Sequence, residues 1–596
     1  MTQAACRRVV LAERFVPPVG HFVDAQGQSA FCVFAPEKHS VRVVLHDSEK
    51  VLALTCDELG FWQGHCTRLP HGSLYWLEVD GQKFPDPASR YQPRGVHGPS
   101  RVTDIDRLQN KLPWAGVKMV DAIIYELHVG CFTPQGTLAA ACDKLVDLAA
   151  LGVTVIELMP LAAFAGERNW GYDGVSLFAL HQSYGDYADL QALIESAHGL
   201  GMAVILDVVY NHFGPEGNYS SALAPYTKPA STPWGAAINF DSTYNYGIRE
   251  FFLANAQYWL QEVGFDGLRM DAVSMIFDNS PIHILRDFTD LARRIGQQEG
   301  REILMIAEHL RNNRFVTHQD GFNFHAQWND DLNYAVFAHL TGESNRHCAD
   351  FGAFEDIVKA LQDGFVLDGS RFERLHKIMM GTDGRLTQAR EHVVHIQNHD
   401  QVGNRPQGDR MLASYGQARA LLGITAIFAS PFVPMLFMGE EFGETAPFLF
   451  FVDFKDPQLI DGVNAGRKRD YAFAGTEPPQ ADARSSFEKS KLQWARRASS
   501  EGRAIWDYYR ALIAYKRSGA LGPRNKRLVD VRGDAATQII TVQTPQTLTV
   551  MNFSDEPRPF SAPEGWNLVL NANLADAASV NQGCLPSYGA FMFCKV

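Results

Sequence analysis

Eight short apolar segments recur along residues 122–438, and stretches with helical periodicity separate them. Segments that are apolar at nearly every position are typical of strands covered on both faces, as in a parallel sheet between helices. Eight such strand–helix units predict a closed (β/α)8 barrel, the TIM-barrel fold. The predicted strands are residues 122–127, 153–158, 203–209, 266–273, 303–307, 322–328, 393–397 and 433–438.

The segments on either side of this barrel have a β-like pattern. Short alternating runs at 30–34, 41–45 and 75–79 are separated by turn sequences and predict an N-terminal immunoglobulin-like β-sandwich. The end of the chain predicts a second β-sandwich, so the fold class is α/β, a TIM barrel between two β-domains. The predicted domains are 1–105 for the N-terminal sandwich, 106–522 for the barrel with a long connection at 213–245, and 523–596 for the C-terminal β-domain.

The net charge and the amino-acid composition indicate which classes of binding partner are expected. The chain has 67 Asp and Glu against 54 Lys and Arg, a net charge of −13. Such a surface repels phosphate backbones, so we expect no nucleic-acid partner. No run of about 18 apolar residues predicts a membrane span. The first residues lack the apolar core of a secretion signal and the nine cysteines show no regular pairing, so we expect free thiols and a cytoplasmic protein.

Ionisable side chains stand at the ends of four predicted strands. The strands run into DVVYNH (207–212), GLRMDAV (267–273), IAEH (306–309) and QNHD (397–400). A core strand gains nothing from a desolvated charge, whereas the carboxyl ends of barrel strands carry the active sites of TIM barrels. Three carboxylates with an arginine and two histidines around one mouth suit cleavage of a glycosidic bond.

These four motifs, in this order, resemble the conserved regions of the α-amylase superfamily, glycoside hydrolase family 13. The resemblance covers nearly the whole chain, and its N-terminal sandwich resembles carbohydrate-binding accessory domains. It implies that Asp271 is the nucleophile, Glu308 the general acid/base and Asp400 the stabiliser of the transition state. It further implies sugar contacts at the cleavage subsite from Tyr172, His212, Arg269 and His399.

The spacing of the residues agrees with those roles. Arg269 lies two residues before Asp271 on one strand, so both side chains point the same way and the guanidinium is expected to keep Asp271 ionised. Repulsion from Asp271 and Asp400 is expected to hold the proton on Glu308. Asp207 is expected to orient Arg269. We predict no metal and no cofactor, although Asn211 occupies a position that binds calcium in many amylases.

Further stretches resemble the malto-oligosyltrehalose trehalohydrolase family within this superfamily. They include TPWGAAINFD (232–241), QNHDQVGNRPQGDR (397–410) and FMGEEFGETAPFLFFVDF (437–454). The resemblance implies hydrolysis of the α-1,4 bond next to a terminal trehalose unit, with malto-oligosyltrehalose or a related α-glucan as the substrate. The chain departs from the family pattern at Leu332-Asn333-Tyr334 and along 369–386, near the sixth strand. No oligomeric state is predicted.

Five polar or aromatic residues beside the predicted catalytic rim are candidates for substrate contact. Because discrimination of trehalose from maltose requires hydrogen bonds to its hydroxyls, Gln401, Arg405 and Glu441 are predicted to supply them. Trp170 is predicted to contact sugar or to pack in the core, as is Trp234. Glu441 can equally form a structural pair with Glu440.

Alternative functions remain open on the sequence alone. A 1,4-α-glucan branching enzyme would use the same carboxylates but transfer the glucan to a sugar acceptor, and a debranching enzyme is a weaker third reading. A non-catalytic, amylase-like glucan-binding protein is disfavoured because Asp271, Glu308 and Asp400 are all present. Analysis of the products separates these readings.

Overall fold

The predicted barrel is present. The computed structural model describes residues 18–104, 113–522, 524–562, 564–574 and 583–595. Eight parallel strands close into a barrel in chain order, and we label them β1 to β8. Their bounds are Ile124–Leu127 (β1), Val155–Leu158 (β2), Ala203–Val208 (β3), Gly267–Met270 (β4), Leu304–Ala307 (β5), Ala326–Trp328 (β6), His392–Val394 (β7) and Val433–Phe437 (β8). Each lies within the corresponding predicted segment except at the start of β7, which begins one residue earlier.

The register of the strands brings charged residues side by side inside the barrel. Glu126 of β1 lies opposite Glu157 of β2, and Asp207 of β3 lies opposite Arg269 of β4. All four residues are buried. These strands therefore carry a polar layer into the barrel directly below its carboxyl-terminal mouth.

Helices surround the barrel and cover the outer faces of its strands. The helical segment before β2 is divided into two short helices, and the second is capped by Gly152, whose φ of 105° favours glycine. The helices are Val129–Phe132, Leu138–Cys142, Leu145–Leu151, Tyr187–Gly199, Asn245–Gln257, Ile284–Glu299, Asp330–Thr341, Phe354–Asp363, His399–Gly403, Met411–Tyr415, Gln417–Ala429, Pro457–Asp470, Arg484–Lys489 and Ser500–Arg517. Among the described residues, no helix is both long and apolar enough to cross a bilayer.

The N-terminal domain is a sandwich of two antiparallel sheets, as predicted. Phe31, Val43 and Tyr75 belong to the buried cluster between the sheets. One sheet contains Gly20–Val23, Ser29–Phe34, Phe61–Cys66 and Thr55–Cys56. The other contains Val51–Ala53, Val41–Leu45, Leu74–Val79 and Gln82–Phe84, with Ser100–Arg101 paired to Leu74–Val79.

The N-terminal sandwich packs directly against the barrel. The ring of Phe34 lies 5.5 Å from that of Tyr246, whose hydroxyl donates to the carbonyl of Leu59 at 2.7 Å. Gly247 is required here, because a Cβ atom would lie 2.4 Å from the Phe34 ring. The sandwich also touches the long connection after β3 through Tyr219, whose hydroxyl lies 2.7 Å from Nδ1 of His97.

The C-terminal domain is a smaller two-layer β-structure. The ring of Phe560, next to a two-stranded sheet, lies 5.6 Å from Phe593 of a five-stranded sheet, and Leu585 joins the same buried cluster. The larger sheet contains Asp530–Asp534, Ile539–Gln543, Thr547–Asn552, Ala590–Lys595 and Trp566–Asn571, and the smaller one Arg558–Pro559 and Cys584–Leu585. The predicted domain boundaries at 105–106 and 522–523 involve residues 105, 106 and 523, which lie outside the described residues.

The connections at the carboxyl end of the barrel form three small hairpins. The long connection after β3 contains Thr227–Thr232 paired with Gly235–Ile238, and Trp234 stands at the turn between them. The connection after β6 contains Phe372–Glu373 paired with Ile378–Met379. The connection after β2 contains Ala162–Ala163 paired with Ser176–Leu180.

Candidate active site

One guanidinium group organises the mouth of the barrel. Arg269 of β4 places Nη1 2.9 Å from Oδ1 of Asp271 and Nη2 3.1 Å from Oε2 of Glu308. Nη1 also contacts both oxygens of Asp207, and the ring of Trp328 lies 4.0 Å from the guanidinium carbon. The arginine is completely buried, so three carboxyl groups and an indole compensate its charge.

Asp271 follows β4 directly and is held by two neighbours. Its Oδ1 faces Arg269, and its Oδ2 accepts a hydrogen bond of 2.8 Å from Nδ2 of Asn211. Burial raises the pKa of Asp271, whereas Arg269 and Asn211 lower it. The expected electrostatic support from Arg269 is therefore present, but burial opposes it more strongly. Asn211, considered from the sequence as a calcium ligand, here orients Asp271.

Glu308 follows β5 and carries a proton at neutral pH. Burial raises the pKa of its carboxyl group to about 8; Arg269 acts against this rise, while Asp271 and Asp400 add to it. Repulsion from the two carboxylates, the cause expected from the sequence, raises this pKa less than burial does. The backbone N–H of Ala272 donates to Oε2 of Glu308 at 2.8 Å. Ala272 has a φ of 40°, a strained conformation for a residue with a Cβ atom. Its hydrogen bond to Glu308 therefore links the turn that follows Asp271 to the general acid.

Asp400 lies at the outer edge of the site, in the short helix after β7. Its side chain is 38% exposed and stands 3.5 Å from Nε2 of His399. Nδ1 of His399 lies 2.6 Å from Oε1 of Glu126 in β1. Burial alone lowers the pKa of His399, but Asp400 and Glu126 outweigh that effect and raise it to about 10. His399 is therefore an imidazolium at neutral pH.

Aromatic rings and a second histidine form the wall of the site. The ring of Tyr172 lies 5.1 Å from His399 at an angle of 26°, and its hydroxyl donates to Asp207 at 2.7 Å. His212 has its ring 5.7 Å from the indole of Trp234, which is 50% exposed. Burial lowers the pKa of His212 to about 4, so this histidine is neutral.

Three predicted substrate contacts are not available as the sequence suggested. Arg269 is fully enclosed, so it acts on Asp271 and Glu308 and does not face an open space. Trp170 is 3% exposed, stacks on Phe448 and donates its indole N–H to the carbonyl of Leu449, which makes it a support behind His399.

Glu441 is the third and is completely buried. It accepts a hydrogen bond of 2.9 Å from the hydroxyl of Tyr125 in β1, and burial raises its pKa to about 7. It is separated from solvent and has a structural role, with Tyr125 rather than Glu440 as its hydrogen-bond partner.

The two remaining predicted contacts differ in their surroundings. Gln401 is half-buried near the site, and its Nε2 lies 3.3 Å from Oδ1 of Asp330. Arg405 is engaged with Glu343 at 2.8 Å and Asp409 at 3.0 Å. Oε1 of Gln401 is buried and has no hydrogen-bond partner among the described residues, whereas the guanidinium of Arg405 has two carboxylate partners.

Of Leu332, Asn333 and Tyr334, which depart from the family pattern after β6, the first two are buried and Tyr334 is the one on which Asp400 acts. Leu332 is buried in the core, and Asn333 donates to the carbonyl of Ile396 at 2.5 Å. Tyr334 is partly exposed and stacks on His347 at 5.6 Å, and the charges of Asp330 and Asp400 both act on its hydroxyl. Along 369–386, Phe372 and Met379 are exposed in the hairpin after β6.

Several residues of the site were not predicted from the sequence. Glu126 was detectable in principle, as a charged residue inside the apolar segment of the first strand. Trp328, Ala272 and Asp330 gave no such signal, because an indole, a methyl group and a helix-start carboxylate each have common structural uses. Among the described residues, no group of three or more His, Cys, Asp or Glu side chains could hold a metal ion.

Several known proteins are similar to this chain in sequence or in fold. The family model "Alpha amylase, catalytic domain" matches residues 92–234 and 242–517. A malto-oligosyltrehalose trehalohydrolase of Saccharolobus solfataricus is 40% identical over 86% of this chain and 89% of its own length. A crystal structure of a putative α-amylase from Salmonella typhimurium is 35% identical, with a TM-score of 0.88 over 98% of this chain and all of that one. A 1,4-α-glucan branching enzyme of Geobacillus stearothermophilus is 26% identical over 74% of this chain and 71% of its own.

Proposed function

The chain belongs to the malto-oligosyltrehalose trehalohydrolase family of the α-amylase superfamily, and we propose that it releases trehalose from malto-oligosyltrehalose. The reaction is hydrolysis of the α-1,4-glucosidic bond next to the terminal trehalose unit, with retention of configuration. The observation that carries the proposal is the single guanidinium of Arg269 joining Asp271 and Glu308. Carboxyl groups that contact neighbouring nitrogens of one guanidinium are close together, which supports the separation of about 5–5.5 Å used by retaining glycosidases.

The first step forms a covalent glycosyl-enzyme. Oδ2 of Asp271 attacks the anomeric carbon while the bond to the leaving trehalose breaks. Glu308 donates its proton to the departing glycosidic oxygen, so trehalose leaves as a neutral alcohol. A pKa of about 8 keeps Glu308 protonated at neutral pH, as this step requires.

The second step hydrolyses this intermediate. Glu308, now a carboxylate, takes a proton from a water molecule that attacks the anomeric carbon, and Asp271 is released. The oxocarbenium-like transition states of both steps carry positive charge, which Asp400 stabilises from its exposed position. Tyr172, His212 and His399 surround the ring that is attacked, and His399 donates from Nε2 to the sugar hydroxyls.

The leaving-group side carries the preference for trehalose. Trp234 offers a half-exposed indole beside His212, and Gln401 is half-buried beside Asp400, with an Oε1 atom that has no hydrogen-bond partner among the described residues. An aromatic face packs against a sugar ring, and a hydrogen-bond acceptor distinguishes the orientation of its hydroxyls. We assign these two residues to substrate contact and leave Arg405, Trp170 and Glu441 as supports.

The net charge and the free thiols of the chain support a cytoplasmic location. The net charge of −13 suits a neutral glucan substrate and disfavours nucleic acid. The cysteines at 56, 66, 131, 142, 348, 584 and 594 are free thiols, which supports a reducing cytoplasm.

Product analysis with maltotriosyltrehalose tests the proposal. We expect trehalose and maltotriose in equal amounts, and no products with an Asp271→Ala variant. New α-1,6 branches in amylose without free trehalose would identify a branching enzyme. Recovery of the intact substrate with the wild-type protein would identify a non-catalytic glucan-binding protein.

A further inference from the structure

The side-chain carboxyl group of Glu126 lies inside the barrel and has no part in the proposed reaction. Glu126 of β1 is completely buried in the barrel interior. Among the described residues, its two carboxyl oxygens accept hydrogen bonds from His399 alone: Oε1 lies 2.6 Å from Nδ1 and Oε2 lies 3.0 Å from the backbone nitrogen. Burying a carboxylate at this depth is costly unless a partner compensates it, so the pair calls for a functional explanation.

We propose that Glu126 is a positioning residue for the glycosidase reaction, holding the imidazole of His399 so that its Nε2 is presented as a proton donor to Asp400 and the sugar. This inference rests on the proposed function. Because Nδ1 donates to Glu126, Nε2 is the only ring nitrogen left for the mouth of the barrel. Glu126, His399 and Asp400 therefore form a line from the barrel centre to the exposed edge of the site.

The rings packed around His399 fix its orientation. Tyr172 covers one face at 5.1 Å, the edge of Trp170 approaches at 5.5 Å, and Trp328 lies at 6.0 Å. A ring enclosed in this way cannot exchange its two nitrogens. The sugar thus always meets Nε2, whose distance of 3.5 Å to Oδ2 of Asp400 leaves room for a hydroxyl to be shared.

The charges around His399 decide whether Nε2 carries a proton. Burial and Arg269 of β4 lower the pKa of His399, and Asp400 and Glu126 raise it to about 10. The other titratable groups acting on this ring are Asp207 of β3, Glu157 of β2 and His128 after β1. Glu126 is one of the carboxylates that oppose the effect of burial, so losing its charge lowers the pKa of His399 and neutralises the ring at a lower pH.

The neighbouring strand offers a matched control. Glu157 of β2 lies opposite Glu126 in register and is equally buried. Burial, with the charge of Glu126 adding to it, raises its pKa well above the ordinary value, so Glu157 is neutral. Neither of its oxygens has a hydrogen-bond partner in the described structure. Glu157→Gln therefore exchanges one neutral group for another of the same shape, one strand from Glu126.

The test is the pH dependence of kcat/KM with a 4-nitrophenyl α-maltotrioside. Its leaving group needs little protonation, so deprotonation of Glu308 does not set the alkaline limb of the first step. For Glu126→Gln we expect a loss of more than tenfold at pH 8 and an alkaline limb shifted by at least about one pH unit toward acid. Glu126→Asp, which keeps the charge, should retain the wild-type limb with lower kcat, and Glu157→Gln should stay within threefold of wild type at every pH.

A double-substitution cycle shows whether Glu126 acts through His399. In a His399→Gln background, Glu126→Gln should cost less than twofold further, because the group it positions is gone. If Glu126→Gln alone does not fold, the double variant, in which both side chains are neutral, can still be compared with His399→Gln. Thermal unfolding at pH 7 shows whether each variant folds. An equal loss at all pH values, an unshifted limb, or additive losses in the cycle would overturn the proposal.

The 4-nitrophenyl substrate makes a failure of this inference distinguishable from a failure of the proposed function on which it rests. The aryl glucoside contains no trehalose, so the profiles can be read even if maltotriosyltrehalose yields no trehalose. In that case the trehalose assignment fails and the role of Glu126 is still decided. A wild-type protein that cleaved neither substrate would overturn both.

Discussion

Arg269 bonds both oxygens of Asp207 through one nitrogen, at 2.9 and 2.8 Å, and neither side chain reaches solvent. A buried ion pair of this kind contributes little net stability compared with apolar packing, but breaking it leaves an uncompensated charge. The same Nη1 lies 2.9 Å from Asp271. Asp207 therefore orients the arginine that supports the nucleophile, as its place at the end of the third strand predicted.

The charge of Asp207 should be necessary for activity. Asp207→Asn keeps the shape of the side chain but removes the main compensation of Arg269, so the guanidinium can turn away from Asp271. We expect kcat/KM to fall at least 100-fold and the free energy of unfolding to drop by up to about 3–5 kcal/mol. Steady-state kinetics and denaturant unfolding measure both quantities. Activity within threefold of wild type would show that Arg269 is held by its other partners.

Asp271 should be the residue that becomes glycosylated. Asp271→Ala removes the attacking carboxylate, and turnover should fall by several orders of magnitude while circular dichroism shows an intact fold. Wild-type protein treated with a 5-fluoro-α-glucosyl fluoride should gain one glycosyl group on the peptide that contains Asp271. A label on another carboxylate, or a few per cent of residual activity in the Ala variant, would assign the nucleophile elsewhere.

Glu308 should set the alkaline limit of activity on natural substrates. Its folded-state pKa is raised to about 8, so the acid is present below pH 8 and kcat/KM should decline as the pH rises through that value. Glu308→Gln should lose activity on maltotriosyltrehalose but keep much of its first-step rate on the 4-nitrophenyl substrate, whose phenolate leaves without a proton. Equal losses on both substrates would remove Glu308 from the acid role.

The main features of the fold were predictable because they depend on local patterns. The barrel strands are apolar at most positions, and the segments between them show helical spacing, so the eight units could be counted. The catalytic carboxylates were predictable because each stands at a strand end, where no packing reason explains it. The division of the helix at 138–151 into two pieces had no comparable signal.

Contacts between distant segments were not predictable. Glu441 follows β8 at the same edge as the catalytic residues, and only the fold shows that Tyr125 of β1 and the following loop enclose it. Trp170 was likewise a candidate for stacking on a sugar ring because it lies beside the catalytic rim in sequence. In the structure its face is covered by Phe448, almost 280 positions later in the chain. Burial that arises from long-range packing cannot be read from the neighbours of a residue in sequence.

The contrast between Gln401 and Glu441 gives a final test of specificity. Both were predicted to bind trehalose hydroxyls. Gln401 is half-buried beside Asp400, whereas Glu441 is completely buried. A subsite that hydrogen-bonds a hydroxyl rejects an analogue that presents it at another angle, whereas apolar contact discriminates weakly.

Gln401→Ala should therefore lower kcat/KM on maltotriosyltrehalose more than tenfold, a loss of about 1.4 kcal/mol in transition-state binding. Activity on maltopentaose should change less, so the ratio between the two substrates should shrink. Glu441→Gln is the control: its carboxyl group is enclosed and bonded to Tyr125, so the ratio should stay at the wild-type value even if thermal stability changes. The measurement is kcat/KM for both substrates in the three proteins. A ratio that changes in Glu441→Gln but not in Gln401→Ala would reverse the assignment and move trehalose recognition to the β8 side of the mouth.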